Sequence, residues 1–172
     1  PDDPPPHGVG GWMENDEALL VYDKYDIWSV DPDAKTAPVN LTQSMGRTTK
    51  TELRYQRTDN EERFIKKNQV LLLRSFNTVN KQGGFANLAA GAGQKPVTLT
   101  MLPNTIQGVA KAKLAERYIV QKGDIKSSEL YSSNNLQQFS QLTDIAKQQE
   151  GYNWLTAELV KWKMFDGKES EG

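Results

Sequence analysis

Carboxylates are the residues of this chain best suited to chemistry, and they come in two groups. Asp23, Asp26 and Asp31 stand close together in sequence, and acids so placed can offer oxygen ligands to a hard cation. Their spacing does not fit a helix–loop–helix calcium loop, and acids at these points also serve as turn and strand-end residues, the preferred reading here. Glu61 and Glu62 form the second group, since paired acids can hold the free amino end of a peptide through charge-assisted hydrogen bonds. They sit in the run Asp59-Asn60-Glu61-Glu62 with no aromatic wall beside them, which reads as a solvated turn.

Other chemistry is thin. The single histidine, His7, lies in a proline-rich leader, and no G-x-S-x-G nucleophile elbow occurs, so a Ser-His-Asp triad is not expected. One histidine and no cysteine leave no transition-metal cluster and no thiol nucleophile. Gly91-Ala92-Gly93-Gln94-Lys95 lacks the spacing of a phosphate loop and reads as a glycine-rich hairpin turn. Asn40-Leu41-Thr42 satisfies the glycosylation sequon, but its threonine also belongs to a recurring Leu-Thr pair. Trp12, Trp28, Trp154 and Trp162 could form a ligand platform, although aromatics at fixed places in repeating strands more often pack as core. No catalytic residue, metal ligand or cofactor is assigned, and the substrate-binding residues are left open.

Charge narrows the partners. The chain has 172 residues with 21 basic and 22 acidic side chains, which makes nucleic acid and anionic membrane poor expectations. No apolar run approaches the roughly 20 residues of a membrane helix. The start, Pro1-Asp2-Asp3-Pro4-Pro5-Pro6, and the end, Gly167-Lys168-Glu169-Ser170-Glu171-Gly172, lead to the expectation of an internal segment of a longer protein.

The elements that must position these residues repeat. Three times an apolar strand is followed by a strand with an aromatic residue and then by Leu-Thr: Ala18–Tyr22, Trp28, Leu41-Thr42; Val70–Leu73, Phe85, Leu99-Thr100; Tyr118–Val120, Tyr131, Leu142-Thr143. From aromatic to leucine the gaps are 13, 14 and 11 residues. Gly10–Met13 reads as an inner strand, Asp23-Lys24-Tyr25 as a tight hairpin, and Thr51, Leu53 and Tyr55 as the dry face of an amphipathic strand. Ile106–Ala112 reads as a further inner strand and Asp144–Gln149 as a short helical turn, while 43–62 is the least regular stretch. The expected fold is all-β, a partial β-propeller of about three four-stranded antiparallel blades. The blades would span about 9–46, 47–102 and 103–150, after a linker over 1–8, with Trp28, Phe85 and Tyr131 packing between them.

Several stretches resemble one enzyme family. Trp12-Met13-Glu14-Asn15-Asp16 is similar to the W-x-x-D-G inner turn of propeller blades in the prolyl oligopeptidase (S9) family. Val21–Trp28 followed by Asn40-Leu41-Thr42 resembles the V-Y-D-x-Y-D-I-W … N-L-T stretch of bacterial members, and Gly108–Lys113 is similar to the same proteins. The tail from Trp154 through Thr156–Trp162 to Asp166-Gly167-Lys168 resembles the crossover from the last blade into the α/β-hydrolase domain; Ser170 departs from an apolar position. The resemblance implies that residues 151–172 form a hinge strand toward an absent hydrolase domain of the same parent chain. It further implies a dipeptidyl-peptidase-like serine peptidase, periplasmic or secreted, whose propeller gates short peptide substrates. No catalytic residue transfers to this chain. The alternative is a stand-alone propeller-like module that binds a protein or glycan, and a third reading is a structural segment with no activity of its own. Blades left open at both ends would expose apolar faces and favour self-association.

Overall fold

Alternation of large apolar with polar side chains, broken every few residues by Gly, Pro, Asn and Asp, gives the chain antiparallel meanders. A computed structural model describes residues 5–91, 93–123, 127–153 and 158–172. Pro1–Pro4 of the leader, Ala92, the turn 124–126, and Trp154 with Thr156 and Ala157 of the tail lie outside the described residues.

The first sheet contains β1 (Val9–Trp12), β2 (Leu19–Tyr22), β3 (Ile27–Val30) and β4 (Val39–Asn40). The second contains β5 (Thr51–Tyr55), β6 (Val70–Asn77), β7 (Gly83–Ala89) and β8 (Val97–Leu102). The third contains β9 (Thr105–Lys111), β10 (Tyr118–Gly123), β11 (Ser128–Ser133) and β12 (Ser140–Gln141). Strand order follows the sequence in all three, and every pairing is antiparallel. A small hairpin, β13 (Lys161–Lys163) and β14 (Glu169–Glu171), follows. The protein is therefore all-β, in four antiparallel sheets, and among the described residues neither a closed barrel nor a closed propeller is found.

The second sheet is covered on both faces, which is why Leu71-Leu72-Leu73 is continuously apolar. Leu71 and Leu73, with Leu53 on β5 and Ala86 and Leu88 on β7, pack against Leu20 and Ile27 of the first sheet. Leu72 and Phe85 point the other way, onto Ile106 and Val120 of the third. One polar atom is stranded in this core: the Ser75 hydroxyl is buried with no hydrogen-bond partner.

The repeat unit is real in the first and third sheets and broken in the second. Trp28 lies opposite Val21 and Asn40, and Tyr131 lies opposite Val120 and Gln141, so both occupy the same place in their sheets. Phe85 does not. It lies opposite Thr100 beside a bulge, so Leu99-Thr100 sits inside β8, whereas Leu41-Thr42 and Leu142-Thr143 lie just past their strands. Residues opposite one another share a face and side chains alternate along a strand. Tyr131 shares the Val120 face, turned toward the preceding sheet, while Phe85 turns toward the following one. Trp28, half-buried, lies on the face of the first sheet away from the second. Of the three expected inter-sheet aromatics, Trp28 and Tyr131 are thus equivalent, and Phe85 packs on the opposite face.

The shared core makes two stability predictions, both read by chemical denaturation. Phe85→Ala, which empties a fully buried site, is expected to cost about 3–5 kcal/mol. Ser75→Ala, which removes an unpaired buried hydroxyl, is expected to leave stability unchanged or raise it by about 1 kcal/mol.

Candidate functional site

Asp26 immediately precedes β3 and is fully buried, a costly place for a carboxylate unless donors surround it. Three do. The Thr42 hydroxyl donates to Oδ1 at 2.7 Å, Gly46 N–H to Oδ1 at 2.9 Å and Arg47 N–H to Oδ2 at 3.2 Å. Thr42 Oγ1 in turn accepts from Ile27 N–H at 3.2 Å, and Leu41 N–H reaches Ile27 O at 2.9 Å. The donors from 46 and 47 belong to a short helix, α1 (Met45–Thr49), in the stretch that carried no regular pattern. Gly46 is required by contact: a Cβ there would stand 2.5 Å from Tyr25 O and 2.7 Å from Thr51 O. The carboxylate therefore clasps the crossing from the first sheet to the second.

Asp23 serves the same corner. Its Oδ1 accepts from Tyr25 N–H at 2.8 Å and Asp26 N–H at 2.6 Å; Oδ2 accepts from Trp28 Nε1 at 3.0 Å and from Arg47 Nη2 at 2.5 Å. Burial pushes its carboxyl up, but these hydrogen bonds outweigh that and hold it below its ordinary value. Asp31 turns elsewhere and accepts from the backbone of Asp33, Lys35 and Thr36. The three acids do not converge, and among the described residues no group of metal-ligating side chains is found.

A second clasp repeats the first in the third sheet. Glu129 is buried and accepts from the Thr143 hydroxyl at 2.5 Å, Ala146 N–H at 2.9 Å and Ser127 Oγ at 3.2 Å. Thr143 Oγ1 accepts from Leu130 N–H at 2.9 Å, and Leu142 N–H reaches Leu130 O at 2.8 Å. Here the clasp holds a 3-10 turn, Ile145–Gln149. The hydrogen bond from Thr143 is the main reason the Glu129 carboxyl lies below its ordinary value; the Ile145 and Ala146 amides and Ser127 add to it. In the second sheet Gly83 faces Leu102, so the positions of acid and threonine fall to Gln82 and Pro103. That crossing is only two residues long and needs no clasp. It passes over β7 at Gly83, where a Cβ would meet Asn104 O at 2.6 Å.

The remaining candidates are dispersed. Glu61 pairs with Lys113 at 2.7 Å and Glu62 with Lys66 at 2.8 Å, so the two acids part and are neutralised separately. His7 is exposed, and Thr42 of the sequon is buried with its hydroxyl committed to the first clasp. Trp12 and Trp162 are exposed, on separate sheets.

An open cleft of about 480 Å³ lies between the second and third sheets, with Glu52, Arg74, Phe76, Gly83, Thr105 and Gln107 in its wall. In the sequence Glu52 only alternates with Thr51 and Leu53, and nothing singles out Arg74. Among the described residues neither side chain makes an ion pair or hydrogen bond, although Glu52 lies opposite Phe76, two places from Arg74 on the same face. Comparison of the chain with protein-family models, with curated proteins and with solved structures returns no match. Functional inference therefore rests on the residues themselves.

Both clasps can be tested. Asp26→Ala strands Gly46 N–H and Arg47 N–H and leaves the Thr42 hydroxyl only Asn40 Oδ1, and is expected to cost about 3 kcal/mol in denaturation. Glu129 has a folded-state pKa below the ordinary 4.5, so its stabilisation is complete above that value and is lost as pH falls through the depressed one. Amide exchange over 145–149 should accelerate in that acid window, and in Glu129→Gln this acid-induced step should disappear.

Proposed function

We propose that this chain is the non-catalytic, substrate-gating propeller part of an S9-family serine peptidase that hydrolyses short peptides. Its three meanders are consecutive terminal blades, and residues 151–172 lead toward an α/β-hydrolase domain of the same parent chain, in the periplasm or outside the cell. The observation that carries this reading is the stacking of three four-stranded meanders in chain order, each packing on the next. The clasped corner adds to it: the stretch that resembles the family, Val21–Trp28 with Asn40-Leu41-Thr42, contains the Asp26–Thr42 pair that fixes how one meander follows another. A closed ring completed from blades of this kind would exclude folded chains while its openings pass peptides, which suits a gate and leaves the bond-breaking groups elsewhere.

The reading predicts a division of activity. The product of the full parent gene should carry a G-x-S-x-G elbow, react with a fluorophosphonate and cleave dipeptidyl chromogenic substrates; residues 1–172 should do none of these. A parent product without the elbow, unlabelled by the reagent, would overturn the peptidase and leave the protein- or glycan-binding module. Both end sheets expose apolar side chains, Val9 and Trp12 on the first and Ile119 and Leu130 on the third. Sedimentation velocity on the 172-residue chain should accordingly show concentration-dependent association, and one monomeric species throughout would count against open blade faces.

A further inference from the structure

The cleft between the second and third sheets holds two charges that the fold does not use. Arg74 lies directly opposite Arg54 across β5 and β6, a like-charge pairing that weakens a sheet. Arg54 escapes by turning its guanidinium to Asp23 O at 3.1 Å and Lys24 O at 3.0 Å and over the Tyr22 ring. Arg74 is exposed and has no such partner among the described residues. Glu52, half-buried, is the nearest acid on that face by register, yet the two form no ion pair. Beside them Phe76 is 37% exposed, an aromatic surface inside a charged cleft.

We propose that this cleft binds a zwitterion with an apolar side chain, a free short peptide. Arg74 takes the terminal carboxylate, Glu52 the terminal ammonium, and Phe76 the apolar side chain. Unpaired opposite charges on one wall complement a ligand that carries both charges, whereas a simple anion or cation would leave one of them unanswered. An Arg fork matches a carboxylate in two parallel hydrogen bonds. The volume, about 480 Å³, falls among small-molecule sites, roughly 300–1,000 Å³. The natural source of the ligand rests on the gating reading; the recognition chemistry is that of the cleft alone. The site holds a peptide and breaks no bond.

The test is calorimetric titration of the 172-residue chain with the dipeptide Ala-Phe and with its doubly blocked form, N-acetyl-Ala-Phe-amide. Saturable binding of the free dipeptide is expected, with the blocked form at least about tenfold weaker. Arg74→Gln and Glu52→Gln should each weaken the free dipeptide about tenfold and leave the blocked form unchanged, and Phe76→Ser should weaken both. Amide spectra establish that each variant is folded, and the exposed Arg74 position gives the variant least coupled to folding. Absence of saturable binding, equal affinity for both ligands, or wild-type affinity in folded Arg74→Gln overturns the site. Fluorophosphonate labelling of the parent product is read separately, so loss of this site and loss of the peptidase reading are distinguishable.

Discussion

A carboxylate taken out of water must be repaid in hydrogen bonds, and at Asp26 three donors from the stretch 42–47 do so. Those donors define the geometry of the first crossing. Thr42 stops the outer strand, Gly46 slides between Tyr25 O and Thr51 O, and β5 starts in the register that places Leu53 against Leu20 and Ile27. Arg47 then ties the helix back to Asp23, which also holds Trp28. That corner sets the alignment of first and second sheets together with the backbone bonds from Leu53 N–H to Tyr25 O and from Ile65 N–H to Trp12 O. Because the group is an acceptor only, an apolar replacement would leave each donor without its partner.

Glu129 applies the same solution at the third sheet with one more methylene, and the loop responds by offering Ala146 in place of Gly46. Clasps stand where a longer stretch of chain leaves a sheet, and the two-residue link at Pro103-Asn104 has none. Short links are held by sterics, as Gly83 shows. Longer ones need a polar anchor to offset the entropy of ordering them.

How much of this was legible varies by element. Strand positions follow from period-two patterning, and Thr51, Leu53 and Tyr55 read directly as one face of β5. Leu71-Leu72-Leu73 reads as an apolar strand, and the structure shows that its sheet is covered on both sides. Helix α1 carries no such signal, since Gly46, Thr48 and Thr49 are poor helix formers and the turn is held by Asp26 through space. Leu-Thr pairs were visible, but only two of the three are partners of a buried acid. Leu99-Thr100 shares the letters without the register, because the bulge at Phe85 moves β8 past its partner. An acid at or just before the start of a strand, with Leu-Thr after the next strand, is the local signal that separates clasp from coincidence. The cleft had no signature at all: Glu52 and Arg74 sit on different strands, and only the pairing of β5 with β6 brings them together.

The matching places of Trp28 and Tyr131 carry a consequence for symmetry. Each faces away from the sheet that follows in the chain, so the two ends of the stack present different surfaces: the Trp28 face at one end, the Leu130 face at the other. Such ends are unlike halves, not self-complementary ones. A two-fold dimer would bring like against like, Trp28 face on Trp28 face, and neither core of this protein is built that way. Contacts that reuse its internal packing run head to tail, and that kind of contact either closes into a ring or continues without limit.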